Sequence, residues 1–245
     1  MLASDLQKIM FLDIETVPHT SDYHTLSPEL KTLWDAKFDL IQKRMPEKYS
    51  AETTAEEGFN STAGIYSEFG KIVCISVGFI HFQEKVMGFR TKSFAGEDER
   101  KLLSDFSKLI VKFCSTKEHT LCGHNIKEFD VPYICRRLLI NGLPLPPIFQ
   151  IAGRKPWEIN FLDTLELWRF GDHKNYTSLN LLAAVFGIPT PKDDIDGSQV
   201  AKVYYQEKNL GRIARYCQKD VLTTAQVFLR MKGMELIAAE QVQYL

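Results

Sequence analysis

Two carboxylates stand two residues apart, Asp13 and Glu15, in the stretch FLDIETVP. A run this rich in apolar and branched residues reads as a strand. In a strand, residues i and i+2 point to one face, about 7 Å apart. The apolar residues before the pair argue against an outer strand. The TVP after it puts both acids at the strand's C-terminal end, where ligands of open α/β sheets gather. Asp130 follows a Gly-His-Asn turn in GHNIKEFDVPYICRR and opens a helix. Tyr216 and Asp220 in RYCQKDV are i and i+4, neighbours on one helix face. Each has an ordinary explanation when taken alone: a solvated pair, an acid answering a helix dipole, a boundary Tyr–Asp pair. Together they suggest more. Four carboxylates in one place repel strongly unless cations relieve them, and hard cations with oxygen ligands suit Asp and Glu. Two Mg²⁺ or Mn²⁺ ions about 3.5–4 Å apart would clamp a phosphodiester, one helping to activate the attacking water and the other stabilising the leaving oxygen.

The elements that must position these residues can be read from periodicity. KIMFLDIE is a strand, and KIVCISVGFIHF is a second with EKVMGFR as its hairpin partner. HTLCGHN holds a short strand, and EINFLDTLELW an edge strand at most. The helices are expected in SPELKTLWDAKFDLIQKRM, GEDERKLLSDFSKLIVKFC, EFDVPYICRRLLINGL, TSLNLLAAVFGIP, GSQVAKVYYQEK and GRIARYCQKDVLTTAQVFLRMKG. Ser27-Pro28 starts the first of them. Leu30, Leu33, Trp34, Phe38 and Ile41 form its apolar face. In GEDERKLL the acids of the first turn answer the dipole. Gly142 and Gly187 close two helices. PEKYSAETTAEEGFNSTAG is small and polar and is expected to be a mobile loop. This order of elements predicts an α/β domain with a mixed sheet.

Composition narrows the setting. The 245 residues suit one large domain or two small ones. Thirty basic and thirty-one acidic residues leave a net charge of −1, so any nucleic-acid binding must be local. The odd number of cysteines, Cys74, Cys114, Cys122, Cys135 and Cys217, with no C-x-x-C pair, argues against a disulfide framework or a thiolate zinc site. No run approaches the 18 or so apolar residues of a membrane span and the N-terminus has no signal-peptide pattern. A reduced, cytoplasmic protein away from membranes is the expectation.

DIET, then N-x-x-x-F-D from Asn125 to Asp130, then Y-x-x-x-D from Tyr216 to Asp220, resemble in order and spacing the three motifs of the DEDD superfamily of 3′→5′ exonucleases. The tyrosine places the resemblance in the DEDDy branch. Over nearly the whole chain, through AGIYSEFGKIVCISVGF, GHNIKEFDVPYICRR, DGSQVAKVY and IARYCQKDVLTT, it is similar to the stand-alone predicted exonucleases related to the polymerase B exonuclease domain. Arg215 occupies the place where the histidine variant of the superfamily carries its His.

The resemblance implies a ribonuclease H-like fold: a mixed five-stranded sheet flanked by helices, in one exonuclease domain over residues 1–245. A partly helical insertion at roughly 20–64 would follow the first strand. It also implies roles. Asp13 would bridge two divalent ions, Mg²⁺ or Mn²⁺, Glu15 and Asp220 would complete one metal site, Asp130 would support the other, and Tyr216 would orient the water. Since a phenol with a pKa near 10 is a poor base at neutral pH, Tyr216 should position water rather than deprotonate it. Thr16, Asn125, Phe129 and Lys174 are the candidates for touching nucleic acid. For Phe129 a core role, and for Asn125 a turn-closing role, weigh about equally. Lys127, Arg136, Arg137, Arg154 and Lys155 offer further positive charge. His124 and Asp163 are expected to be structural. The substrate implied is a single-stranded 3′ end, DNA ahead of RNA, with a separate polymerase as a candidate partner. A catalytically silent binding module on the same fold is the alternative, against which stand all four acids and the tyrosine.

Overall fold

The computed structural model describes residues 3–172, 174, 176–189 and 195–245. In chain order its elements are α1 (Ala3–Leu6), β1 (Ile9–Pro18), α2 (Pro28–Arg44), α3 (Ala55–Thr62), β2 (Gly70–Gln83), β3 (Val86–Ala95), α4 (Glu99–Phe113) and β4 (Thr120–Gly123). There follow α5 (Asp130–Ile140), β5 (Leu162–Asp163), α6 (Thr164–Arg169), α7 (Leu179–Val185), α8 (Val200–Lys202), α9 (Leu210–Met231) and β6 (Val242–Tyr244), with short turns between them. The strands form one mixed sheet in the order β5-β4-β1-β2-β3-β6. β1, β2 and β3 run antiparallel as a meander, while β4 and β5 lie parallel to β1 and β6 parallel to β3. This is the mixed α/β architecture of a ribonuclease H-like fold.

The sheet has six strands among the described residues, not five. The addition is β6, which pairs Val242 with Phe89 and Tyr244 with Thr91. Three residues are too few to show a period of two, and their conformation is set by the free edge of β3. The β2–β3 hairpin turns through Glu84 and Lys85, with φ of 50° and 70°. Two consecutive positive φ values are what a two-residue connection needs to match the strand twist.

β1 is covered on both faces, which explains its continuous apolar run. Met10, Leu12 and Ile14 share a core with Leu103 and Phe106 of α4 and Ile134 and Leu138 of α5. Ile9 and Phe11 pack under Val221, Ala225 and Phe228 of α9. Asp13 and Glu15 continue that second row, so alternation alone turns them toward α9.

Residues 20–64 form a helical insertion with a small core of its own. Ser27 caps α2 through Leu30 N–H, and Trp34, Phe38 and Ile41 are buried with Tyr49, Phe59 and Phe69. Leu33 is exposed instead. The stretch expected to be a mobile loop contains α3. Thr54 and Glu57 make a reciprocal capping box, and Phe59 meets the Trp34 ring edge-on at 5.4 Å. The T-x-x-E signal was present in TTAEE, masked by small polar neighbours.

A further expectation is corrected where α4 meets α5: Arg137 is not available to phosphate, while Glu99 keeps its expected place in the first turn of α4. They form a buried bidentate pair, Nε to Oε1 at 2.8 Å and Nη2 to Oε2 at 2.5 Å. Arg137 Nη1 also donates to the Ser67 carbonyl, and Ile72 N–H donates to Glu99 at 2.7 Å. Among the described residues, no helix is long and apolar enough to cross a membrane.

Candidate active site

Parallel pairing of β1 with β4 makes both strands end at the same edge of the sheet. Asp13 and Glu15 lie there, and a bulge follows at once: Glu15 pairs with Cys74 but Thr16 with Ile72. Bulges bend a strand and re-aim its side chains. The chain leaving β4 turns at Asn125, whose φ is +63°, a conformation that Asn tolerates better than most residues. The Asn125 carbonyl accepts from Glu128 and Phe129 N–H. The turn delivers Asp130, the first residue of α5, to β1, where its Oδ1 accepts the Ile14 N–H at 3.2 Å. α9 crosses the other face and brings Tyr216 and Asp220, with the Tyr216 hydroxyl donating to the Asp220 carboxylate.

The electrostatics report how close these groups are. Burial pushes the Asp13 carboxyl well above its ordinary value, and the charges of Asp130 and Asp220 push it further. Glu15 is raised in the same direction by burial, then by Asp13 and Asp220. Asp130 is raised to about 7, chiefly by burial. Tyr216 is raised by burial and then by Asp220, Glu15 and Asp13. A site that makes its own acids hard to ionise is built to be completed by positive charge.

Cys217, buried in the core, is the residue that sequence reasoning passed over. Its thiol donates to the Asp13 carbonyl at 3.4 Å and to Asp13 Oδ2 at 3.3 Å. Ligand atoms of Asp13, Glu15 and Cys217 all lie within 4.8 Å of one another. Burial raises the Cys217 pKa well above that of an ordinary thiol. As a donor to Asp13 it orients that carboxylate, leaving oxygen donors to face a cation. That donor set fits Mg²⁺ or Mn²⁺ rather than a thiophilic ion. The only signal in sequence was its place one residue after Tyr216. Tyr176 was missed as well. It packs edge-on to His124 at 6.1 Å, and its pKa is raised by burial and by Asp130, Asp163 and Asp13.

The supporting residues behave as their types suggest. Asp163 accepts the Asn125 and Leu165 N–H groups at 2.9 Å and the Lys127 N–H at 3.2 Å, so it fixes the turn that presents Asp130. His124 bridges Thr164 Oγ1 and the Thr177 carbonyl, both at 2.9 Å. Thr16 and Phe129 line a cavity beside Glu15. Phe129 also packs against the main core, the second of its expected roles. Lys127 is paired with Glu166 at 2.7 Å. Lys174 is exposed, with its backbone N–H held by Asp172. No described contact joins its ammonium to the four acids.

A family model described as predicted 3′-5′ exonucleases related to the exonuclease domain of PolB matches residues 65–243. The chain belongs to that family. The match takes in Asp130, Tyr216 and Asp220. Asp13 and Glu15 lie before it, and their nearness to Asp130 and Asp220 rests on the geometry above. No curated protein was found to match the chain.

Proposed function

We propose that the protein is a metal-dependent 3′→5′ exonuclease that hydrolyses the terminal phosphodiester of single-stranded nucleic acid, with DNA as the preferred strand. The observation that carries this reading is the convergence of four carboxylates from β1, α5 and α9, with Asp13 and Glu15 raised in pKa by burial and then by the charges of Asp130 and Asp220 among their neighbours. Family membership supports the reaction class.

Asp13, Glu15, Asp130 and Asp220 would hold two Mg²⁺ or Mn²⁺ ions. Such ions, when bound, lower the pKa of water and neutralise charge on the phosphate and the leaving oxygen. The chain's own residues do the rest. Asp13 is held by the Cys217 thiol and Asp130 by the Ile14 N–H, so neither must reorganise when substrate arrives. The Tyr216 hydroxyl, anchored on Asp220, faces the acids and cannot ionise near neutral pH. Its part is to orient the attacking water along the line of the scissile bond. Residues 1–245 act as one catalytic unit in this reading, with 20–64 as an insertion within it.

A degradation ladder tests the proposal. End-labelled single-stranded DNA and RNA, duplexes and mismatched ends are incubated with Mg²⁺, Mn²⁺ or chelator. The expected result is stepwise shortening from the 3′ end of single strands, abolished by chelator. Cleavage from the 5′ end, internal cleavage, or no cleavage with either ion would overturn it. A separate polymerase is the proposed macromolecular partner.

A further inference from the structure

Two thiols lie side by side on the face of the sheet that α9 covers. Strand register sets the first. Asp13 pairs with Ser76 and Glu15 with Cys74, and directly opposed residues of antiparallel strands share a face. Cys74 therefore stands beside the acids. α9 sets the second, bringing the Cys217 thiol to Asp13 Oδ2 at 3.3 Å. Cys74 and Cys217 belong to one buried cluster. Their thiols are neighbours, and both are free. Cys74 Sγ lies 3.6 Å from Ser76 Oγ, which lies 2.8 Å from Ser93 Oγ. A file of polar side chains thus runs from the acids into the sheet, through positions where packing alone would take apolar residues. Asp13, which is only partly buried, marks its open end.

We propose that Cys74 and Cys217 are a redox switch: hydrogen peroxide joins them in a disulfide that takes the donor off Asp13 and weakens the cation site. The effect on cations rests on the exonuclease reading; the bond between the sulfurs does not. One thiol attacks the peroxide O–O bond and becomes a sulfenic acid, its proton leaving with the displaced hydroxide as water. The second thiol then displaces hydroxide from that sulfur, and its own proton completes a second water. Overall each sulfur gives up one electron, and the peroxide takes up both. The new S–S bond, about 2.05 Å long, draws the Cys217 sulfur toward β2 and leaves it no proton to donate. Asp13 loses the partner that orients it. A dithiol reductant reverses the change by exchange.

The test treats the full chain with hydrogen peroxide, removes the excess and blocks the remaining thiols in one portion before digestion. Mass spectrometry should find peptides joined through Cys74 and Cys217, separated again by dithiothreitol. In the other portion, Mn²⁺ titration followed by electron paramagnetic resonance should show affinity lowered about tenfold, the scale of losing a partner that orients a ligand, and regained in dithiothreitol. Cys74→Ser and Cys74→Ala keep the Cys217 donor together with Cys114, Cys122 and Cys135, and thermal melts check that they fold. Both should bind Mn²⁺ equally well before and after peroxide. No joined peptide in the wild-type protein overturns the proposal. So does a joined peptide with unchanged Mn²⁺ affinity, or an equal loss in the folded Cys74 variants, which would put the damage elsewhere. Nuclease assays on the same samples keep the two readings apart. Mn²⁺ binding without cleavage of any strand removes the exonuclease reading and leaves the switch to the peptide map and the titration. If the untreated protein binds no Mn²⁺, the map alone decides: a joined pair upholds the switch, and its absence rejects it.

Discussion

Asp13 faces three kinds of neighbour at once: other acids, a thiol and a closed apolar core. Burial and the charges of Asp130 and Asp220 make its carboxylate costly, and the Cys217 thiol offsets part of that cost at 3.3 Å. Asp13→Ala or Asp220→Ala should reduce Mg²⁺-dependent cleavage to background; full turnover in either variant would contradict the roles assigned. Tyr216→Phe keeps the ring and removes the hydroxyl. It should leave cation and substrate binding in place and lower kcat by about 10²-fold, the scale of a misplaced reacting group. An unchanged kcat would remove Tyr216 from the mechanism. Cys217→Ala deletes the donor that orients Asp13, so Mn²⁺ affinity should fall by about tenfold, while Cys217→Ser, which keeps a donor, should retain most of it. Titration followed by electron paramagnetic resonance separates these cases.

The elements position the acids through links that sequence patterns show unevenly. The strand carrying Asp13 and Glu15, the helix opened by Asp130 and the helix holding Tyr216 and Asp220 were all legible, because each has a local period and a local punctuation mark. The insertion's second helix was not, since Thr54–Glu57 is a two-residue signal in a polar stretch and Phe59 becomes meaningful only against Trp34. Arg137 was misread for a related reason. A charged residue looks solvated until tertiary packing buries it, and its pairing with Glu99 joins α4, α5 and β2. Arg137→Met leaves Glu99 buried without its partner, so unfolding free energy in urea should drop by about 3–5 kcal/mol. A drop below about 1 kcal/mol would mean that water reaches Glu99 after all.

At the scale of the molecule, the sheet brings together residues far apart in sequence, which no local pattern encodes. The β1–β4 pairing was implied only through resemblance to a known fold, and β6 not even there. This gathering has a consequence for stability. Asp13, Glu15 and Asp130 have raised pKa values in the folded chain. Between the ordinary carboxylate range and about pH 7, the metal-free native state therefore holds protons that the unfolded chain has released. Its stability must fall as pH rises through that window. Melts in chelator should show Tm dropping from pH 5 to pH 8, and Mn²⁺ should restore it at pH 8; a Tm indifferent to both would mean that the acids are not buried together as described. The most direct test of the central claim is a crystal of the protein soaked in Mn²⁺ and measured at the manganese absorption edge. The account predicts two anomalous peaks among Asp13, Glu15, Asp130 and Asp220. Peaks elsewhere with none between these carboxylates, or no peak at all, would contradict it.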